Sequence, residues 1–216
     1  DRLAIARQMR TGTFEAGKQI FVRGDTSRDI YLVREGRVRL SVLAGDGRTL
    51  SFKHACEGDI FGEIAALDGG PRTADAIALT HVESNILAHE RLHNLIQNHA
   101  SMARAAIGCV CMRVRETSAL AEAIALLRIE VRLARFLLAK VKPRDARALP
   151  EDVPVVLGMS QHELGLLVGG SRQKVNEALK KLEKAGAIKR TGGQLMCNPP
   201  ALERMADPDE PPDEPQ

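Results

Sequence analysis

The stretch FGEIAALDGGPRTADA, from Phe61 to Ala76, decides how the chain is read. It sets Glu63 after a glycine, runs through an apolar turn and a Gly-Gly break, and reaches Pro-Arg-Thr-Ala with Arg72 nine residues beyond the Glu. A short helical turn followed by a loop would bring the two ends together. Two readings are open at this point. Glu63 and Arg72 could form a structural ion pair, or they could divide a ligand, Glu63 accepting from hydroxyls and Arg72 gripping an anion.

The surroundings of that stretch, from Thr13 to about Ala88, are short β runs cut by turns. QIFVRGD, DIYLVREGRVRLSVLAGDGRTLSFKHACEGD and TADAIALTHVESNILA alternate apolar with polar residues, and their turns carry Glu-Gly, Gly-Asp-Gly and Glu-Gly-Asp. Many short strands at this spacing predict an antiparallel sandwich or jelly roll.

After HERLHNLIQNHA the period becomes helical. From Ser101 to Lys142 there is no proline and a single glycine, Gly108, and Pro143 ends the run. Ile107, Val110, Val114, Thr117, Ala121 and Ile124 keep a 3-4 spacing, a narrow stripe suited to pairing with another helix. The stripe could pack on the protein's own β-roll. With Arg113, Arg115 and Glu116 flanking a thin seam, it reads better as the interface of a homodimer.

A turn-rich connector, KPRDARALPEDVP, leads to a second domain. There a short strand PVVLG precedes helix SQHELGLLVG, a Gly169-Gly170 turn and helix RQKVNEALKKLEKAG, and the segment ends in AIKRTGGQLMCN. Ser160 with Glu163 makes a capping box, Ser171 caps the next helix and Gly186 closes it. Gly192-Gly193 predicts a tight hairpin. The pattern is a winged helix-turn-helix whose second helix would enter a DNA major groove. From Ser171 to Arg190 there are seven Lys/Arg against Glu177 and Glu183.

Composition agrees with a globular chain: 216 residues, 44% hydrophobic, 27% charged, with mean hydropathy −0.17. The formal net charge of +3 is too mild to announce nucleic-acid binding unaided. No apolar run approaches the ~18 residues of a membrane helix, and no signal peptide opens the chain, so a reducing cytoplasm is expected. Asp1 at the start implies an initiator segment missing or removed. Cys56, Cys109, Cys111 and Cys197 form no CxxC pair, and His89 and His93 have no third ligand near them in sequence, so no metal site is expected. No Ser/His/Asp set or nucleotide-hydrolysing loop implies an enzyme. The acidic, proline-rich DPDEPPDEPQ has nothing apolar to bury and is expected to be disordered. The expected organisation is α+β: a β jelly roll over 1–100, a long dimerisation helix over 101–142, a winged helix-turn-helix over 143–206 and a tail over 207–216.

These residues together resemble the CRP/FNR family of bacterial transcription regulators, most closely its cyclic AMP receptor protein branch, from Thr13 to Pro199. FGEIAALDGGPRTADA resembles the phosphate-binding cassette of cyclic-nucleotide domains, which also occurs in protein kinase regulatory subunits. The resemblance implies that Glu63 binds the ribose 2′-hydroxyl and Arg72 the cyclic phosphate, with Thr73 and amides near Gly62, Ile64 and Ala65 completing the cradle. Relatives that sense other signals often lose this Glu or Arg; here both stand. Aligned through RLARFLLAK, Thr117 and Ser118 fall at the branch's adenine-contacting Thr-Ser pair, and Arg113 at an Arg near the phosphate. Cyclic AMP is the implied effector and no other cofactor is required; Thr73 leaves room for cyclic GMP, because its hydroxyl can accept from the guanine 2-amino group.

MSQHELGLLVGGSRQKVNEALKKLEKAGAI is similar to the family's helix-turn-helix, with Ser160, Gln161, Ser171, Arg172, Gln173, Asn176, Glu177 and Lys180 as the implied DNA contacts. Arg172 falls at the principal guanine-reading position. Gln173 stands where the branch has Glu, and Glu177 where it has Arg, which puts the usual half-site in doubt. No cysteine cluster lies at the visible N-terminus, which disfavours the iron–sulfur oxygen-sensing branch. The implied partners are a second copy of the chain, a roughly palindromic DNA duplex and RNA polymerase, with no membrane. The alternatives are a regulator of the same fold with a different effector or none, and a cyclic-nucleotide module whose helical tail docks a protein.

Overall fold

Val33, Val38, Phe61, Ala76 and Val82 are each at most 1% exposed, and each comes from a different strand. They close the interior of a β-roll whose strands are β1 (Arg10–Phe14), β2 (Gln19–Phe21), β3 (Ile30–Glu35), β4 (Val38–Leu43), β5 (Thr49–Ala55), β6 (Ile60–Phe61), β7 (Asp75–Ala78) and β8 (Val82–Leu87). The pairings are antiparallel, in two four-stranded sheets ordered β1-β8-β3-β6 and β2-β7-β4-β5. This crossing of strands between two sheets is the expected jelly roll, and it starts at Arg10, earlier than the alternation that begins at Thr13. The computed structural model describes residues 5, 8–141, 152–191 and 194–207. They fall into two units, Asp1–Ser118 and Ala119–Gln216.

The roll is accompanied by helices α1 (Glu63–Asp68), α2 (His89–Asn98) and α3 (Ala100–Leu126). Leu92 and Leu95 of α2 bury against Ala66 of α1 and Leu87 of β8. By contrast α3 buries none of its own residues. Ile107 is 65% exposed and Val114 59%, so its apolar stripe meets little within the single chain.

The run over 101–142 is not the single helix its periodicity suggests. It breaks at Leu127 and Arg128, and a separate helix α4 (Ile129–Val141) follows. Neither proline nor glycine causes the break. Leu133, Ala134, Leu137 and Val141 are at most 5% exposed and belong to the core of the second unit. Burying that face in the second core is what tertiary packing gains at the break, overriding a local preference for continued helix.

The rest of the second unit is β9 (Val153–Val155), α5 (Gln161–Val168), α6 (Arg172–Lys184), β10 (Ile188–Thr191), β11 (Gln194–Cys197) and α7 (Pro199–Ala206). The strands form an antiparallel sheet ordered β10-β11-β9. Leu164, Val175, Leu182 and Leu202 fill the centre at no more than 1% exposure. Cys197 lies among them, and burial, helped by Asp152, pushes its thiol up to about 11. Thr191 pairs with Gln194, so β10 and β11 form the expected hairpin; the expected Gly192-Gly193 turn lies outside the described residues. So do the stop at Pro143, nearly all of the connector and the tail from residue 208 onward. Helix α7 was not anticipated, although Asn198 caps it through Oδ1, accepting from the Ala201 amide at 2.9 Å, and proline opens it.

Candidate functional site

The 61–76 stretch forms the end of β6, helix α1 and a loop into β7. Gly62 stands at the N-cap of α1 with φ 77°. A Cβ there would lie 2.6 Å from Arg72 Nη1, so the Phe-Gly-Glu sequence serves both a left-handed turn and a close approach. The first turn of α1 leaves the amides of Glu63, Ile64 and Ala65 without intrahelical acceptors. Gly69 ends the helix at φ 72°, its amide donating to Ala65 O.

Arg72 is 2% exposed. Its Nη1 donates to Gly62 O at 2.9 Å, Nη2 to Asp29 O at 2.8 Å and Nε to Ser27 Oγ at 3.1 Å. The guanidinium lies 4.0 Å from the centre of the Phe21 ring, within an aromatic group in which Tyr31 stacks on Phe61 at 4.8 Å. Among the described residues it has no carboxylate partner at ion-pair distance. Burial draws its pKa down, against the nearby charges of Tyr31, Asp29, Asp25 and Glu63. A buried cation held by neutral oxygens, with two of its five N–H groups uncommitted by these bonds, is suited to a single anion.

Glu63 is also buried, at 5% exposure. Its partner is Arg113 on α3, whose Nε donates to Glu63 Oε1 at 2.5 Å. The ion-pair alternative for Glu63 with Arg72 therefore gives way to a different pair. Arg113 Nη1 donates to Glu116 Oε2 at 2.7 Å and Nη2 to Ile60 O at 2.5 Å. Burial lowers the Arg113 pKa, Glu63 and Glu116 raise it, and the net shift is upward. Thr117 and Ser118 follow Arg113 by about one turn and are exposed, as are Thr73 and Ile64. Thus Glu63 and Arg113 meet, Arg72 joins them through the Gly62 backbone, and among the described residues the side chains of Thr73, Thr117 and Ser118 make no hydrogen bond.

Several participants escape sequence reasoning. Ser27 and the carbonyls of Asp29 and Ile60 are used without any residue-type signal. The sequence marks His89 and His93 only as an i,i+4 pair. Their Nδ1 and Nε2 both address Ala66 O, at 2.8 and 3.2 Å, and tie α2 to the end of α1.

In the second unit, Ser160 Oγ accepts from Glu163 N at 3.1 Å and Ser171 Oγ from Lys174 N at 3.2 Å, as the caps predict. Helix α6 turns Val175, Ala178, Leu179 and Leu182 inward. Arg172, Gln173, Glu177 and Lys180 are exposed on its outer side, with Asn176 and, on α5, Gln161 partly buried. Lys181 pairs with Glu130 and Arg190 with Glu183. The other five cations between Ser171 and Arg190 carry no ion pair among the described residues. Of the stripe residues, Ala121 is exposed, while Ile124 is 38% exposed and touches the Gly169 turn.

Comparison with known proteins agrees with both units. A cyclic nucleotide-binding domain model matches residues 11–99, and a Crp-like helix-turn-helix domain model matches 131–205. The chain is 30% identical over 191 residues to the cyclic AMP receptor protein of Thermus thermophilus, covering 88% of this chain and 84% of that one. It is 26% identical over 195 residues to the CRP-like cAMP-activated global transcriptional regulator of Mycobacterium tuberculosis, covering 90% and 87%. The solved structure of the c-di-GMP responsive global regulator CLP of Xanthomonas campestris matches with a TM-score of 0.73 and 25% identity, covering 89% and 95%.

The chain belongs to the CRP/FNR family of transcription regulators. It is a DNA-binding regulator with a cyclic-nucleotide domain and a Crp-like helix-turn-helix, of a family whose members are not enzymes. Among the described residues, no helix is long and apolar enough to cross a membrane.

Proposed function

We propose that the protein is a cytoplasmic homodimeric regulator that binds cyclic AMP in each β-roll and then engages a roughly palindromic DNA site. One observation carries the effector assignment: Arg72 is a buried cation with neutral partners, beside a buried Glu63 that is tied to α3. A cyclic phosphodiester carries the one negative charge this arrangement lacks, and its free 2′-hydroxyl needs an acceptor such as Glu63. In this reading Gly62, Ile64, Ala65 and Thr73 complete the phosphate cradle. Arg113 stands near the phosphate, and Thr117 and Ser118 meet the base.

Ile107, Val110, Val114, Thr117, Ala121 and Ile124 are assigned to the dimer seam, supported by the absence of buried residues on α3 within one chain. Ligand binding re-packs the paired helices, so that the two copies of α6 reach successive major grooves. Ser160, Gln161, Ser171, Arg172, Gln173, Asn176, Glu177 and Lys180 then face DNA, and RNA polymerase is the downstream partner.

A second reading keeps the fold and changes the effector. It is favoured by the Xanthomonas relative, described as responsive to c-di-GMP. Calorimetric titration with cyclic AMP, cyclic GMP and c-di-GMP separates the two. Cyclic AMP should bind tightest, and Arg72→Ala should cost about 2–5 kcal/mol of that binding, because a desolvated charge loses its partner. Binding of c-di-GMP alone, or unchanged cyclic AMP affinity in the variant, would refute the assignment.

A further inference from the structure

The outer face of α6 holds a contact that bears on how DNA would be read, and the inference rests on the proposal that α6 enters the major groove. Gln173 and Glu177 stand one helical turn apart and both are exposed. Gln173 Nε2 donates to Glu177 Oε1 at 3.1 Å.

Chemistry fixes the direction of this bond. A carboxylate only accepts, so the amide nitrogen must face Glu177 and Gln173 Oε1 must face away from it. Without such a neighbour, a glutamine amide can exchange its oxygen and nitrogen by a half turn at little cost. One of the two Nε2 hydrogens is committed to Glu177. The other remains beside Oε1, leaving one donor and one acceptor for a base edge. That pair complements adenine, whose N7 accepts and whose N6 amine donates. Guanine offers two acceptors, O6 and N7, and would set its O6 against Oε1 with the carboxylate charge close by.

We infer that Glu177 is a positioning residue for Gln173, and that the two act together as one reader of adenine in each half-site. Glu177 makes no base contact of its own. Arg172, on the preceding residue, reads its guanine independently. Lys181 is held by Glu130 and takes no part in base reading.

The test uses the full-length protein with cyclic AMP, on duplexes carrying every base pair at each half-site position. Gln173→Ala and Glu177→Ala should relax preference at the same base pair, by roughly 5- to 100-fold, and the double variant should lose no more than Gln173→Ala alone. Glu177→Gln can donate as well as accept, so it no longer fixes the amide and should relax the preference as Glu177→Ala does. Replacing that adenine with purine, which lacks the 6-amino group, should weaken the wild type and leave Glu177→Ala nearly unaffected.

Relaxation at two different base pairs would show that Glu177 reads a base itself and would overturn the inference. So would unchanged preference in Glu177→Ala with the guanine preference intact, because the contact would then be only a helix-surface hydrogen bond. A wild type with no preference at any base pair would instead contradict the DNA-reading proposal beneath it.

Discussion

Glu63 Oε1 accepts from Arg113 Nε at 2.5 Å, and this contact joins the 61–76 stretch to the helix that follows the β-roll. Their side chains are 6% and 14% exposed, so the pair lies largely out of water. Glu63→Gln keeps the shape and removes the charge, leaving Arg113 with Glu116 and the Ile60 carbonyl. The variant should lose about 1–3 kcal/mol of stability in denaturant titration. It should also discriminate less between cyclic AMP and its 2′-deoxy analogue, since the proposed hydroxyl acceptor is weakened. Wild-type stability and unchanged discrimination would remove the role given to this carboxylate.

Val114 is 59% exposed on a helix that buries nothing within its own chain. If it lies in a dimer seam, Val114→Asp puts a charge into an apolar interface and should yield monomers in sedimentation. An intact dimer would place the interface elsewhere.

Two glycines in the helix-turn-helix differ in what surrounds them. A Cβ on Gly165 would lie 2.7 Å from Gly170 O, a backbone atom, and one on Gly170 would lie 2.2 Å from Ile129 Cδ1, the end of a side chain. Backbone cannot yield without opening the turn, whereas Ile129 can change rotamer. Gly165→Ala should therefore cost about 2–3 kcal/mol and Gly170→Ala about 1 kcal/mol. Thermal melts showing the reverse order would contradict this account of the turn.

The extent to which the sequence announces this structure varies by element. Glu-Gly and Gly-Asp-Gly turns mark the strand ends, and Ser160 and Ser171 mark helix starts, because turns and caps depend on residue type at fixed short offsets. The break at Leu127 and Arg128 has no such mark, since it arises from burying Leu133 and Leu137 in the second core. The Glu63 to Arg113 contact spans 50 positions and leaves no local trace. The motif marks Arg72 as a candidate anion ligand but carries no trace of its carbonyl partners, Gly62 and Asp29. Helix α7 did carry a signal, Asn198 before two prolines, that is visible once its cap is seen.

Glu130 supplies a pH dependence with a definite sign. Burial, the largest single influence, would raise its carboxyl, but donation from Lys181, its own backbone amide and the Lys181 and Arg128 charges together outweigh this and hold it below the ordinary value of 4.5. A depressed pKa stabilises the folded state above that ordinary value, and the gain is lost as pH falls through the folded value. Lys181 is 64% exposed, so solvent screening limits the contribution to about 0.2–1 kcal/mol. The stability difference between wild type and Glu130→Gln should be present at neutral pH and vanish in acid. A difference that persists unchanged into acid would contradict the pairing.

The central claim is that one ligand in the β-roll controls the affinity of α6 for DNA. The direct measurement is fluorescence anisotropy on a labelled duplex selected by the protein, at fixed salt, with and without saturating cyclic AMP. The account predicts tightening by roughly 5- to 150-fold, and an equal tightening of cyclic AMP binding when DNA is present, because the coupling is reciprocal. Equal DNA affinity with and without the nucleotide, in a protein that binds both, would contradict it.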